Sequence, residues 1–288
     1  HVGVPVDDTA MGGVIVNRLV SISCQNILNQ ALIRVLAVSD FEEKALASLF
    51  KTMDFIGKKR PPFAPALEEA RLETVKIIED AASLDPGRFG NPGTAALFPP
   101  GAYKAMSAEI KKSPFAMKLV RLYSDEGIRQ IDAMFAAVAK AFDMPFNRAL
   151  ETLRDQDRKF MDHSYNNLFA QMGAPNFIRM HEQVIKNLVG MDFVKIFACL
   201  KLHKLKSKTY PASLAEAAKS ASTDIPADRF GGGAYEYQIT SGGGFAVIST
   251  GPDLKIGVKT DAISDALTSR DSQSPDDLIL TETGSRIR

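Results

Sequence analysis

Three aspartates near the end of the chain are the residue types of a cation site: Asp253 in a Gly-Pro-Asp turn, and the pair Asp276-Asp277. Calcium takes about six to eight hard oxygen ligands and mixes carboxylates with loop carbonyls. A turn and an acidic pair brought together by neighbouring strands would supply part of that shell. Without a cation, converging carboxylates repel one another. The competing explanation is aspartates solvated in turns and at strand edges, since Asp favours turns through bonds to its own backbone. Asp261, Asp265 and Asp271 lie between the two acidic sites and are lesser candidates.

Other chemistry is thinly represented, and no residue stands out as catalytic. Asp162-His163 and His181-Glu182 place acid beside imidazole, but adjacent helical residues point in different directions. Ile185 occupies the position where a zinc-protease helix needs its second histidine. A bridging site from His163 and His181 with Glu151 or Asp155 is a minor candidate. No Gly-x-Ser-x-Gly elbow occurs. Cys24 and Cys199 sit in apolar helical patterns and are expected to be buried free thiols, against the alternative of a disulfide between them. Gly231-Gly232-Gly233 and Gly242-Gly243-Gly244 lack a following Gly-Lys-Ser/Thr and are read as turns, not phosphate cradles. The basic run Lys201–Lys208 suits the negative end of a helix dipole as a solvated terminus. With a net charge of +1, no nucleic-acid partner is expected.

The elements that must position these residues are mostly helices. With 288 residues, 45% of them apolar, the chain can bury one large core or two modest ones. Gly12–Val38 comes nearest to a membrane span, but Asn17, Arg18, Gln25, Asn26, Asn29, Gln30 and Arg34 interrupt it, so it reads as an amphipathic helix. Ser39 and Glu42 have capping-box spacing ahead of a helix reaching Gly57. Pro65 opens a helix over Ala66–Ala82 with Leu67, Val75 and Ile78 inward. Ser83–Ala102 is unpatterned, rich in Pro and Gly, and favours a plain loop over a functional lid. Helices follow over Pro114–Phe142, with Met134, Phe135, Val138 and Phe142 at core spacing, and over Phe146–Gln171. Gly173-Ala174-Pro175 marks a boundary between an all-helical region, 1–175, and an α+β domain, 176–288. The second region opens with a helix over Asn176–Lys206 whose two apolar rows imply burial on more than one side. A short helix near Ser213–Ala221 follows. Tyr235, Tyr237 and Ile239 then face Phe245, Val247 and Ser249 across a Ser-Gly-Gly-Gly turn, with a third strand near Asp276–Thr281. The fold class is α+β, mostly α, with a long helix packed on a small antiparallel sheet.

The order of motifs in the tail resembles the C-terminal domain of the major pseudopilins of type II secretion. The matching residues are the Tyr210-Pro211 turn; Pro226, Asp228, Phe230 and Gly231 ahead of the Tyr235-x-Tyr237 strand; Ser249, Gly251 and Asp253; and Asp276-Asp277 before Leu278-Ile279. The resemblance covers about residues 178–282. It implies a periplasmic address and a calcium site. Arg229 departs from the family's usual proline, the stretch from Asp253 to Asp276 is longer, and the spine helix follows some 175 residues of other structure. The whole chain looks like large bacterial envelope proteins that carry such a tail behind a helical region.

These observations lead to an extracytoplasmic, non-enzymatic binding or scaffolding protein, calcium-stabilised, using surfaces of its helical region. Its expected partner is an envelope protein or polymer, and a leader or membrane anchor preceding His1 is compatible with the chain. The runner-up is an envelope hydrolase with a cleft between the two regions, lidded by Ser83–Ala102 near Glu68, Glu69 and Glu73. A third reading, a secretion or DNA-uptake component, would use the basic helix end.

Overall fold

The computed structural model describes residues 13–60, 62–85, 102–161, 176–256 and 278–286. These form an α+β structure that is mostly helical and carries one small antiparallel sheet. The helices are α1 (Gly13–Val38), α2 (Glu43–Lys59), α3 (Ala64–Ala82), α4 (Ala102–Lys111), α5 (Pro114–Phe142), α6 (Phe146–Met161), α7 (Phe177–Ser207) and α8 (Leu214–Ala221). The strands are β1 (Glu236–Ile239), β2 (Phe245–Ser249), β3 (Leu278–Thr281) and β4 (Gly284–Arg286). The boundary residues Gly173-Ala174-Pro175, and the Pro-rich stretch from residue 86 to 101, lie outside the described residues.

The chain divides into two compact units. One comprises residues 1–20, 62–144 and 149–179. In it Pro65 lies in the first turn of α3, which buries Leu67 and Ile78 and half-buries Val75. Ser113 caps α5 through the Ala116 amide at 3.3 Å, with Pro114 in the first turn where its missing N–H costs nothing. Met134, Phe135, Val138 and Phe142 are all buried, as their spacing requires. Phe63 stacks on Phe142 at 4.8 Å, and Phe135 meets Phe177 edge-on at 5.6 Å. Arg71 on α3 bridges Asp132 on α5 at 2.5 Å and its own Glu68 at 2.7 Å. Helix α4, which packs on α5, is not foreseen from the sequence.

The other unit comprises residues 21–61, 145–148 and 180–288 and holds the tail. Its spine is α7, where every residue from Val189 to Leu200 except Lys195 is buried. The sheet runs in the order β1-β2-β3-β4 with every neighbour antiparallel. Phe193 of α7 lies 5.8 Å from the Tyr235 ring, and Phe197 lies 5.2 Å from Phe245, which also meets Tyr210 at 4.9 Å. One face of the hairpin is thereby fixed on the spine by interlocking aromatics.

Two local features differ from the sequence expectation. Ser39 is no cap for α2: its amide closes the last turn of α1 on Val35 at 3.0 Å, and Glu42 takes the N-cap position without a side-chain bond. Nor does α1 segregate polar from apolar residues. Asn29, which interrupts the apolar run, is buried and donates to the Asn187 carbonyl of α7 at 3.4 Å. Asn187 in turn donates to Asn26 at 3.0 Å. Gly190 permits this close approach, because a Cβ there would come within 3.0 Å of the Asn29 side chain. Meanwhile Ile27, Leu28 and Val38 stand exposed.

Candidate functional site

The most organised polar group in the tail is Asp228. Its turn begins as Pro226-Ala227 leads in, and closes as the Asp228 amide donates to Gly233 at 2.7 Å and the Gly232 amide to Asp228 at 2.8 Å. Gly232 has φ +74°, a left-handed conformation suited to glycine. A side chain at Gly231 would crowd the turn, since its Cβ would lie 3.0 Å from Thr250 Oγ1. The Asp228 carboxylate, 3% exposed, accepts from the Phe230 amide at 3.1 Å and Ser249 Oγ at 2.6 Å on one oxygen. On the other it accepts from the Thr250 amide and Thr250 Oγ1, both at 3.0 Å. The turn is thus bolted to the end of β2. Its outer carbonyls are also taken: Arg229 and Phe230 accept from the Phe146 and Asn147 amides, and Gly231 from the Asn147 side chain at 2.8 Å. Those amides belong to the first residues of α6, where a helix has no acceptors of its own.

Beside this turn, Arg229 reaches Asp192 of α7 with two bonds, 2.7 and 3.2 Å, and Tyr235 donates to the same carboxylate at 3.1 Å. Burial pushes the Asp192 carboxyl up, working against the hydrogen bond and charge of Arg229. Arg229 therefore compensates a buried acid on the spine. A second cluster ties the helix end to the sheet. Lys204 and the Tyr210 hydroxyl both bond one oxygen of Glu282 at 2.8 Å, and the Lys204 ammonium lies 4.3 Å from the Tyr210 ring centre. Burial works to raise Glu282, but these two donors outweigh it and hold the carboxyl below its ordinary value. Lys201 donates to the Ser39 carbonyl at 3.0 Å, and Lys206 pairs with Glu43 at 2.9 Å. The basic run is therefore not simply a solvated terminus; three of its lysines hold neighbouring elements.

An open groove of about 930 Å³ lies between α8, the extended segment before Asp228, and β1. Leu214, Ala218, Ile225 and Pro226 give it apolar walls, Tyr235 and Tyr237 form the side next to the sheet, and Lys219 and Asp224 contribute one charge of each sign. Ser213 caps α8 through the Glu216 amide at 3.3 Å, and the Tyr237 hydroxyl donates to the Pro211 carbonyl at 2.8 Å. The groove's ends are thereby pinned. A smaller cavity of about 380 Å³ adjoins Leu46, Phe50, Cys199 and Leu202. No sequence signal announced the larger groove, because it arises where α8 and β1 fall in space rather than from a motif.

The structure places the predicted residues as follows. Asp253 is exposed at the surface, where its carboxylate accepts the Lys255 amide at 3.0 Å in a local turn. Asp276 and Asp277, as well as Asp261, Asp265, Asp271 and His163, lie outside the described residues. Among the described residues, no group of three His, Cys, Asp or Glu side chains is placed to hold a metal ion. His181 is buried, its ring stacked 5.5 Å from Phe146, and burial lowers its pKa to about 4. Glu151 is exposed, and Asp155 pairs with Lys159 at 2.7 Å. Both cysteines are free, as expected, but Cys24 is exposed and only Cys199 is buried. Burial pushes the Cys199 thiol up to about 12, so it is a packing residue and not a nucleophile. Glu68, one of the acids near the expected lid, is paired with Arg71.

Comparison of the chain with family models, curated proteins and solved structures finds no match. No helix among the described residues is long and apolar enough to cross a membrane.

Proposed function

We propose that the chain is an extracytoplasmic binding or scaffolding protein of the bacterial envelope, with a pseudopilin-like, calcium-stabilised C-terminal domain. Its binding surface on the tail is the groove between α8 and β1. The observation that carries this reading is the groove itself: about 930 Å³ with mostly apolar walls and one charge of each sign. That composition suits recognition of an uncharged partner surface. Support for the pseudopilin-like part comes from the Tyr210-Pro211 turn against the Phe245 ring and from Asp228 joining its turn to Ser249 and Thr250. These residues sit at the motif positions that carry the resemblance. A fusion to alkaline phosphatase, which folds to an active enzyme only after export, tests the address. Activity in whole cells is expected from the full-length protein; an inactive phosphatase fusion beside an active cytoplasmic reporter fusion would refute it. Binding at the groove is tested by an environment-sensitive apolar dye, whose fluorescence should rise with the native chain and fall when Ala215→Trp or Ala234→Trp fills the groove.

A further inference from the structure

We infer that the groove takes an extended segment of a partner polypeptide as an added strand, paired to the outer edge of β1. This rests on the groove being the binding surface proposed above and names what it binds. The first support is the sheet's own hydrogen bonding. Among the described residues β1 is an end strand, with β2 its sheet neighbour. In the hairpin, the Thr240 amide donates to Gly244 at 3.0 Å, which makes Thr240 and Gly244 a hydrogen-bonded pair. Antiparallel pairs alternate between bonded and non-bonded positions. The register Gln238↔Ala246 and Glu236↔Ile248 therefore turns the main-chain groups of Gln238 and Glu236 toward β2. The amides and carbonyls of Tyr237 and Ile239 point the other way, off the edge of the sheet. Such an edge is complementary to another extended backbone.

The second support is where the groove lies. Tyr237 of β1, and Tyr235 in the residue just before the strand, form its sheet-side wall. A strand laid along β1 would present every second side chain to Leu214 and Ala218 of α8, beneath a helix already fixed by its Ser213 cap. Ile239, 45% exposed, extends the apolar edge toward the hairpin turn. Charge narrows the occupant further. Lys219 and Asp224 line the groove with one charge of each sign, and the charge of Glu216 on α8 also reaches Tyr237, so an acidic polymer gains nothing from the site. The occupant is an uncharged polypeptide segment with small or β-branched residues at alternate positions.

The test uses the whole chain and a fluorescein-labelled, end-capped seven-residue peptide of alternating valine and alanine, read by anisotropy. Two controls carry the same sequence N-methylated at alternate residues, in either register. The peptide should bind; one N-methylated register should weaken it by about tenfold, the loss of a few backbone hydrogen bonds, while the other does not. Ala215→Trp and Ala234→Trp, both at exposed positions, should weaken it at least as much without shifting the melting temperature. Equal binding of both N-methylated peptides, or binding untouched by both tryptophans, would overturn strand addition. If no peptide binds but the apolar dye does, and the tryptophans displace it, the inference falls while the groove remains a binding surface. Absence of both peptide and dye binding would remove the two together. Dimers of the chain in sedimentation that are lost in the tryptophan variants would assign the edge to a second copy and overturn a separate partner.

Discussion

Two turns of the tail each present an aspartate after a proline, and the structure treats them oppositely. Asp228, in the turn from Pro226 to Gly233, is buried and accepts from two backbone amides and two hydroxyls. Asp253, in the turn after Gly251-Pro252, lies in solvent and accepts the amide of Lys255 two residues on. The residue type and local preference are the same. What differs is the partner: Asp228 has the end of β2 to hold, some 21 residues away in sequence, whereas Asp253 holds its own turn. A carboxylate becomes structural when distant donors converge on it, and remains open to solvent or an ion when they do not.

The sharpest way to break this contrast is to delete the buried acid. Asp228→Ala leaves Ser249 Oγ and the amides of Phe230 and Thr250 without their acceptor. Several buried donors losing their partner together should cost about 3–5 kcal/mol, seen as a lower denaturation midpoint. A loss under about 1 kcal/mol would show that the turn is not fixed through this carboxylate.

Acid reaches the same turn from its other side. Phe146 packs edge-on against Phe230 at 5.0 Å and stacks on His181. The unfolded chain takes up the His181 proton near 6.5, the folded chain near 4, because burial disfavours the imidazolium. The unfolded state therefore binds more protons across that window. The histidine's contribution is fully present above 6.5 and is lost as pH falls through about 4, by up to about 3 kcal/mol. His181→Phe should flatten this part of the stability profile, and an unchanged slope in the variant would assign it to other groups.

Much of this architecture was readable from neighbours in sequence. The spine helix, the Ser213–Ala221 helix and the Gly-rich hairpin all follow from periodicity, a cap and turn residues within a few positions. The parts that were not readable depend on remote partners. Asn29 reads as a polar break in α1 until Asn187 of α7 supplies its acceptor. Lys201, Lys204 and Lys206 read as a charged helix end until Ser39, Glu282 and Glu43 meet them. Asp228 carries no stronger signal in sequence than Asp253, because its donors are set by how β2 ends. Strand β4, three residues long, is too short to leave a period of its own.

A smaller effect separates the turn from its anchor on the spine. Arg229→Met leaves the Asp192 carboxylate buried with the Tyr235 hydroxyl but without its guanidinium. Arg229 is itself 40% exposed, so solvent screens the pair and the loss should be about 2 kcal/mol, less than for Asp228→Ala. Asp192→Asn in the Arg229→Met background should recover part of it, as the unpaired buried charge is gone. No recovery would mean that Arg229 acts by packing its stem.

The smallest effect is expected at Asp253, and it sharpens the contrast most. In chelated protein, Asp253→Ala removes one exposed local bond to Lys255 and should change stability by less than about 0.5 kcal/mol. If Asp253 joins Asp276 and Asp277 around calcium, adding the ion should raise the melting temperature of the native chain and much less that of the variant, because a ligand that binds only the folded state stabilises it by mass action. Asp228→Ala should still respond to calcium if the variant folds, since its carboxylate already has four donors and none of its role needs a cation. An equal calcium response in native chain and Asp253→Ala would exclude that residue as a ligand. A flat response in both would remove the ion from the tail, leaving Asp253 a turn residue and Asp228 the acid on which the tail's order depends.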